Sequence, residues 1–263
     1  MSKHLMKIQF IPLLFTFLPI SVWCQEFPFW GNLEQGSYGV GYSDTIIYNE
    51  QQKYSYLDYE GPKPYLVSFW FPLEVETNSA EIEYAEYLAF EATQLGIALR
   101  DSLIQMRKQS FIDYGIKNRL DSWEDRPYGQ NEQQLFQKII LTKVNAKKVL
   151  EHPLKEYPVI IYHHGMGGSK EENSVLFEYL ASHGFVIVSS NYHWPKQSTN
   201  LEDLINDLMF ATDFAARLSF TDSERMYFLG HSWGAQIGLI LNQSGRHSFK
   251  SFILLDNTLE KLM

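Results

Sequence analysis

From residue 157 onward the chain alternates short, continuously apolar runs with amphipathic ones. Pro158 to Tyr162 and Phe185 to Ser190 have the length and β-branched content of buried strands. Between them, Ser169 followed three residues later by Glu172 forms a capping box, which predicts a helix through Ser182 closed by Gly184. Thr199 and Glu202 form a second box, and Leu204, Leu208, Ala211, Ala215 and Leu218 then recur at helical spacing. Arg225 to Leu229 predicts a strand, Ala235 to Asn242 a helix with Ile237, Ile240 and Leu241 along one side, and Phe249 to Leu255 a further strand. Strands alternating with helices imply parallel pairing through crossover connections, hence an α/β sheet.

The pattern before residue 157 is less regular. Gly36 to Tyr42 and Asp44 to Tyr48 read as short strands at a sheet edge, and Tyr65 to Phe71 as a stronger strand stopped by Pro72. Asn78 and Glu81 resemble a capped helix start, after which Leu88, Ala92, Leu95, Leu99, Leu103 and Met106 form one apolar stripe. Residues 76–138 are therefore expected to be a mostly helical insertion, either a lid over a site or packing decoration. At the N-terminus Lys3, His4 and Lys7 precede an apolar run from Ile8 to Val22 broken by Pro12 and Pro19. That run is too short and proline-broken for a good membrane span, and residues 1–24 read as a signal peptide cut before Gln25. The protein is thus expected to be secreted or periplasmic, with residues 25–263 as its folded domain. Lipid anchoring at Cys24 is the less favoured alternative, because bulky Trp23 precedes it.

Composition narrows the partners. A formal charge of −9 and a hydrophobic share of 45% describe an acidic globular chain, which disfavours nucleic acid or an anionic membrane surface. The single cysteine is Cys24, so the expected mature chain has no disulfide framework and no cysteine nucleophile. No metal or cofactor site is read.

The candidate chemistry sits at Gly230-His231-Ser232-Trp233-Gly234, a Gly-x-Ser-x-Gly motif between a predicted strand and a predicted helix. That context makes it a nucleophile elbow, a strained turn that exposes a serine hydroxyl at the carboxyl end of a sheet. His163-His164-Gly165-Met166-Gly167-Gly168 follows another strand and precedes a capped helix. A glycine-rich turn there can aim backbone N–H groups at a developing oxyanion, and the donors assigned are those of Met166 and Trp233. Asp222 and Asp207 read as loop and helix-surface charges.

Together HHGMGG, LASHGFVIVSSNYH, GHSWG and SFILLDN, with the earlier GSYGVGY and SFWFP, resemble the α/β-hydrolase branch that contains platelet-activating-factor acetylhydrolase and related secreted bacterial esterases. The resemblance runs from about residue 36 and leaves out residues 76–138. It implies an α/β-hydrolase fold, a mostly parallel sheet flanked by helices. It further implies a cofactor-free serine esterase acting on small esters or lipids through an acyl-serine, with Ser232 as nucleophile and Asp256, directly after Phe252-Ile253-Leu254-Leu255, as the candidate acid of a triad. The fold's chain order is serine, acid, histidine, yet no histidine follows Asp256. The family's last strands and catalytic histidine are therefore expected to be missing. His193 is the candidate substitute base, and a truncated, inactive hydrolase-fold protein is the alternative reading.

Overall fold

The computed structural model describes residues 29–56, 59–74, 81–88, 134, 138–192 and 200–255. The proposed leader, His193, Asp256 and most of the expected 76–138 insertion lie outside the described residues. In chain order the elements are β1 (Gly39–Tyr56), β2 (Tyr59–Leu73), β3 (Glu81–Glu83), α1 (Tyr84–Leu88), β4 (Lys143–Lys148), β5 (Tyr157–His163), α2 (Ser174–Ser182), β6 (Val186–Ser190), α3 (Leu201–Ala215), β7 (Thr221–His231), α4 (Trp233–Gln243) and β8 (Phe252–Leu255). The strands make one sheet in the order β3-β4-β1-β2-β6-β5-β7-β8.

The β6-β5-β7-β8 half is parallel throughout, as alternating strands and helices require. Its runs are apolar in succession because both faces are covered. On one face α3 and α4 bury Leu204, Leu208, Ile237 and Leu241 against Val159, Ile161, Val188 and Phe228. On the other, α2 and α1 bury Phe177, Ala181 and Tyr87 against Ile160, Ile187 and Leu229.

The antiparallel β1–β2 hairpin departs from the sequence reading. The two short edge strands expected over 36–48 are one long inner strand, flanked by β2 and by a parallel β4. β2 also runs past the expected stop at Pro72. It pairs with β6 only over Val67–Trp70, so Pro62, Pro64 and Pro72 lie where β2 is not paired on both sides, the places a strand tolerates proline. Within 76–138, Glu81–Glu83 are strand rather than the expected first turn of a helix: β3 adds to the sheet beside β4 before α1 begins at Tyr84. The cap of α3 falls at Asn200, one position after the expected box, its side chain accepting the Glu202 N–H at 3.0 Å.

Buried polar groups fasten these layers. Asp207 is a correction: it is a fully buried residue of α3, not a surface charge. Lys63 reaches it at 2.5 Å and the Tyr65 hydroxyl donates to it at 2.6 Å, so α3 is tied to the hairpin. Burial raises the Asp207 pKa, and Lys63 and Tyr65 offset only part of that. Glu178, buried on α2, accepts from Trp30 Nε1 (2.7 Å), the Tyr87 hydroxyl (2.9 Å) and the Asn145 N–H (3.2 Å). Asp222 is a second correction: it lies not on a loop but at the start of β7, opposite Pro158 of β5, and pairs with exposed Arg225 at 2.6 Å.

Candidate active site

β5 and β7 are neighbours, and His163 at the end of one stands beside Gly230 near the end of the other. The chain leaves them in opposite directions, β5 into α2 on one face and β7 into α4 on the other. Adjacent parallel strands whose connections diverge open a crevice at their carboxyl ends, where α/β sheets bind ligands.

Ser232 sits in that crevice, between the last residue of β7 and the first of α4. Its φ of 48° and ψ of −116° make it the one non-glycine residue with positive φ among the described residues. Holding an L-residue there costs on the order of 1–3 kcal/mol and requires surroundings that over-determine the turn. Those surroundings are visible. The Ser232 N–H donates to the Leu255 carbonyl of β8 at 2.9 Å, and the Ser232 carbonyl accepts from Ala235 and Gln236 in the first turn of α4. A Cβ on Gly230 would come within 2.5 Å of Ala235 Cα, and one on Gly234 would overlap the His163 and His164 carbonyl oxygens. Both motif glycines are therefore demanded by close backbone approach.

The Gly234 approach brings α4 onto the loop after β5. Gly165 lies still closer to the serine, since a Cβ built on it would be 3.3 Å from Ser232 Cβ. The loop turns at Gly167, whose φ is +70°, and closes by a Gly168 N–H to Gly165 carbonyl bond of 3.0 Å. Met166, at the loop's tip, is exposed. Trp233 is the first residue of α4, where an N–H has no intrahelical acceptor and the helix dipole is positive. The structure thus places Ser232, Trp233 and the Met166 loop at one end of β5 and β7. His193 and Asp256 lie outside the described residues, although Asp256 directly follows Leu255, the acceptor for the Ser232 N–H.

His163 and His164 are buried behind the loop, each with Nδ1 2.8 Å from a backbone carbonyl oxygen, and His163 stacks on Tyr192 at 4.2 Å. Among the described residues no group of three or more His, Cys, Asp or Glu side chains gathers to hold a metal. No described helix is long and apolar enough to cross a membrane.

One residue of the site escaped the sequence reading except as a helix cap. Glu172 lies in the turn before α2, which starts at Ser174, later than the capping box implies. Its Oε2 does accept the Ser169 N–H at 3.4 Å, but Oε1 accepts from the Tyr162 hydroxyl, from His231 Nδ1 at 2.9 Å and from the Gly165 N–H at 3.2 Å. A carboxylate only accepts, so His231 carries its hydrogen on Nδ1. Burial pushes the Glu172 pKa up, but the hydrogen bonds from Tyr162 and His231 and the nearby His164 outweigh it and hold the carboxyl below its ordinary value. The i, i+3 spacing from Ser169 was the available signal, and it accounts for only one of the four donors.

Comparison with known proteins agrees with this architecture. No curated protein matches the chain. Among solved structures, a ferulic acid esterase from Streptomyces cinnamoneus superposes with a TM-score of 0.52 at 14% identity, over 82% of this chain and 58% of that one. Est1E from Butyrivibrio proteoclasticus matches at 24% identity over 40% of this chain and 42% of its own, with a TM-score of 0.35. The chain thus spans about half the length of these esterases. Residues 158–263 match the family model described as alpha/beta hydrolase fold, and with the sheet order and the elbow this gives the chain an α/β-hydrolase fold.

Proposed function

We propose that the protein is a serine carboxylic-ester hydrolase. The observation that carries this is the positive-φ Ser232 at the divergence of β5 and β7, packed against the glycine-rich loop after β5. In this reading the Ser232 hydroxyl attacks the ester carbonyl and passes its proton to a histidine. The N–H groups of Met166 and Trp233 hold the oxyanion, and the collapse of the tetrahedral adduct expels the alcohol, which takes up that proton. Water then releases the acid from the acyl-serine. Asp256 orients the histidine, and His193, three residues beyond β6, is the candidate base within this chain. Short-acyl lipid esters of the platelet-activating-factor type are the proposed substrates, met outside the cytoplasm after removal of residues 1–24. Intact mass of the exported protein should place its N-terminus at Gln25; a retained leader would refute the export reading.

The test is hydrolysis of p-nitrophenyl acetate and butyrate by the purified protein beside Ser232→Ala and His193→Ala. Turnover that falls to background in Ser232→Ala, by up to about 10⁶-fold for a fully assembled triad, supports the reading. An equal fall in His193→Ala identifies the base. Equal rates for wild type and Ser232→Ala would make this a hydrolase-fold binding protein rather than an esterase.

A further inference from the structure

We infer that Glu172 is a positioning residue that staples the oxyanion loop to the elbow; the inference rests on the esterase reading and deepens it. Its carboxylate receives the N–H groups of Gly165 and Ser169, the two ends of the segment that carries Met166. The same carboxylate receives His231 Nδ1, and His231 is the residue immediately before Ser232. The Tyr162 hydroxyl of β5 completes the set and itself accepts from Asn173 Nδ2 at 2.6 Å. One side chain therefore couples strand β5, the loop and the elbow. The fit is tight, because a Cβ on Gly168 would overlap Glu172 Oε2.

Three features separate this from an ordinary helix cap. Glu172 precedes the first residue of α2 instead of lying inside it, and its shorter bonds go to Gly165 and His231 rather than to Ser169. Its ionised form is the favoured one, so four donors converge on a negative charge. The two backbone donors it holds flank the proposed oxyanion donor without including it. An oxyanion hole works only if its donors are fixed before charge develops, and loss of one donor lowers kcat by about 10²–10³-fold. Glu172 acts through the loop and touches no substrate.

The experiment compares wild type, Glu172→Ala, Glu172→Gln and Ser232→Ala, all as the full chain. Steady-state ester hydrolysis is one readout and amide hydrogen exchange over residues 163–172 the other. Glu172→Ala is expected to lower kcat by about 10²-fold with KM nearly unchanged. It should also accelerate exchange at Gly165 and Ser169 while the amides of β5 and β7 stay protected. Glu172→Gln, which keeps the oxygen that accepts from Gly165 and His231 but not the one that accepts from Ser169, should recover most of kcat and the protection at Gly165 but not that at Ser169. Unchanged exchange at Gly165 and Ser169 in Glu172→Ala overturns the staple whether or not the protein turns over ester. Altered exchange with wild-type kcat overturns the positioning role. A wild type no faster than Ser232→Ala refutes the esterase reading alone, and exchange still decides the staple.

Discussion

At the residue scale, the site is specified by what cannot carry a side chain as much as by Ser232. Gly234 touches the carbonyls of His163 and His164, so Gly234→Ala must move α4 away from the loop after β5. Overpacking of this kind costs about 1–3 kcal/mol, and for a chain of this size each kcal/mol lowers Tm by roughly 2–4 °C. A calorimetric Tm drop of that order is expected in Gly234→Ala. Gly245 offers the comparison: nothing lies near its Cβ position, so Gly245→Ala there carries only the strain of its φ of +70°. Equal losses in the two variants would deny that α4 is seated by close approach. The elbow was legible in sequence because its glycines and serine sit at fixed spacing between a strand and a helix, even though Gly234 answers a contact with the distant loop of His163 and His164. Glu172 was legible only as a cap, because three of its four donors come from Tyr162, Gly165 and His231, and it is the fold that converges them.

At the element scale, α2 is held by a buried carboxyl whose charge is disfavoured. Burial raises the Glu178 pKa, and the hydrogen bonds from Trp30, Tyr87 and Asn145 do not fully offset it. A folded-state pKa above the unfolded value of about 4.3 means that the native state binds the proton more readily. Stability from this group therefore falls as pH rises through the window from the unfolded to the folded pKa, and above it the penalty is complete. Glu178→Gln removes the titration while keeping an oxygen to accept from Trp30 and Asn145 and setting an amide N–H opposite the Tyr87 hydroxyl oxygen. Tm measured from pH 4 to 7 should show the Gln variant gaining on wild type as pH rises; parallel curves would contradict the argument. Element boundaries followed the same division between local and distant causes. α4 was read nearly in place because a helical stripe is a local signal, whereas β7 starts at Thr221, four residues before the apolar run that predicted it, because its first residues pair with β5. β4, Lys-Val-Asn-Ala-Lys-Lys, has no such run, and only its partners β1 and β3 make it a strand.

At the scale of the whole molecule, the parallel half followed from the alternation of strands and helices, and β1 and β2 close as a local hairpin, whereas β4 beside β1 and β3 beside β4 depend on pairings between residues far apart in the chain. The two halves meet at β2 and β6, over only the four pairs Val67–Ser190 to Trp70–Ile187. The Lys63–Asp207 pair is a second fastening, from the hairpin to α3, with side chains 14% and 0% exposed. Lys63→Met leaves the buried Asp207 without its cation, and breaking a buried pair from one side costs about 3–5 kcal/mol. Replacing both partners by apolar residues, as in Lys63→Met with Asp207→Leu, also removes the desolvated charge, so the double variant should be more stable than the single one. Tyr65 limits that recovery, because its hydroxyl loses Asp207 and keeps Gln52 at 2.7 Å. The expected order of calorimetric Tm is wild type, double variant, Lys63→Met. A single variant as stable as wild type would show that the hairpin and the parallel half are joined through the β2–β6 ladder and the apolar core alone.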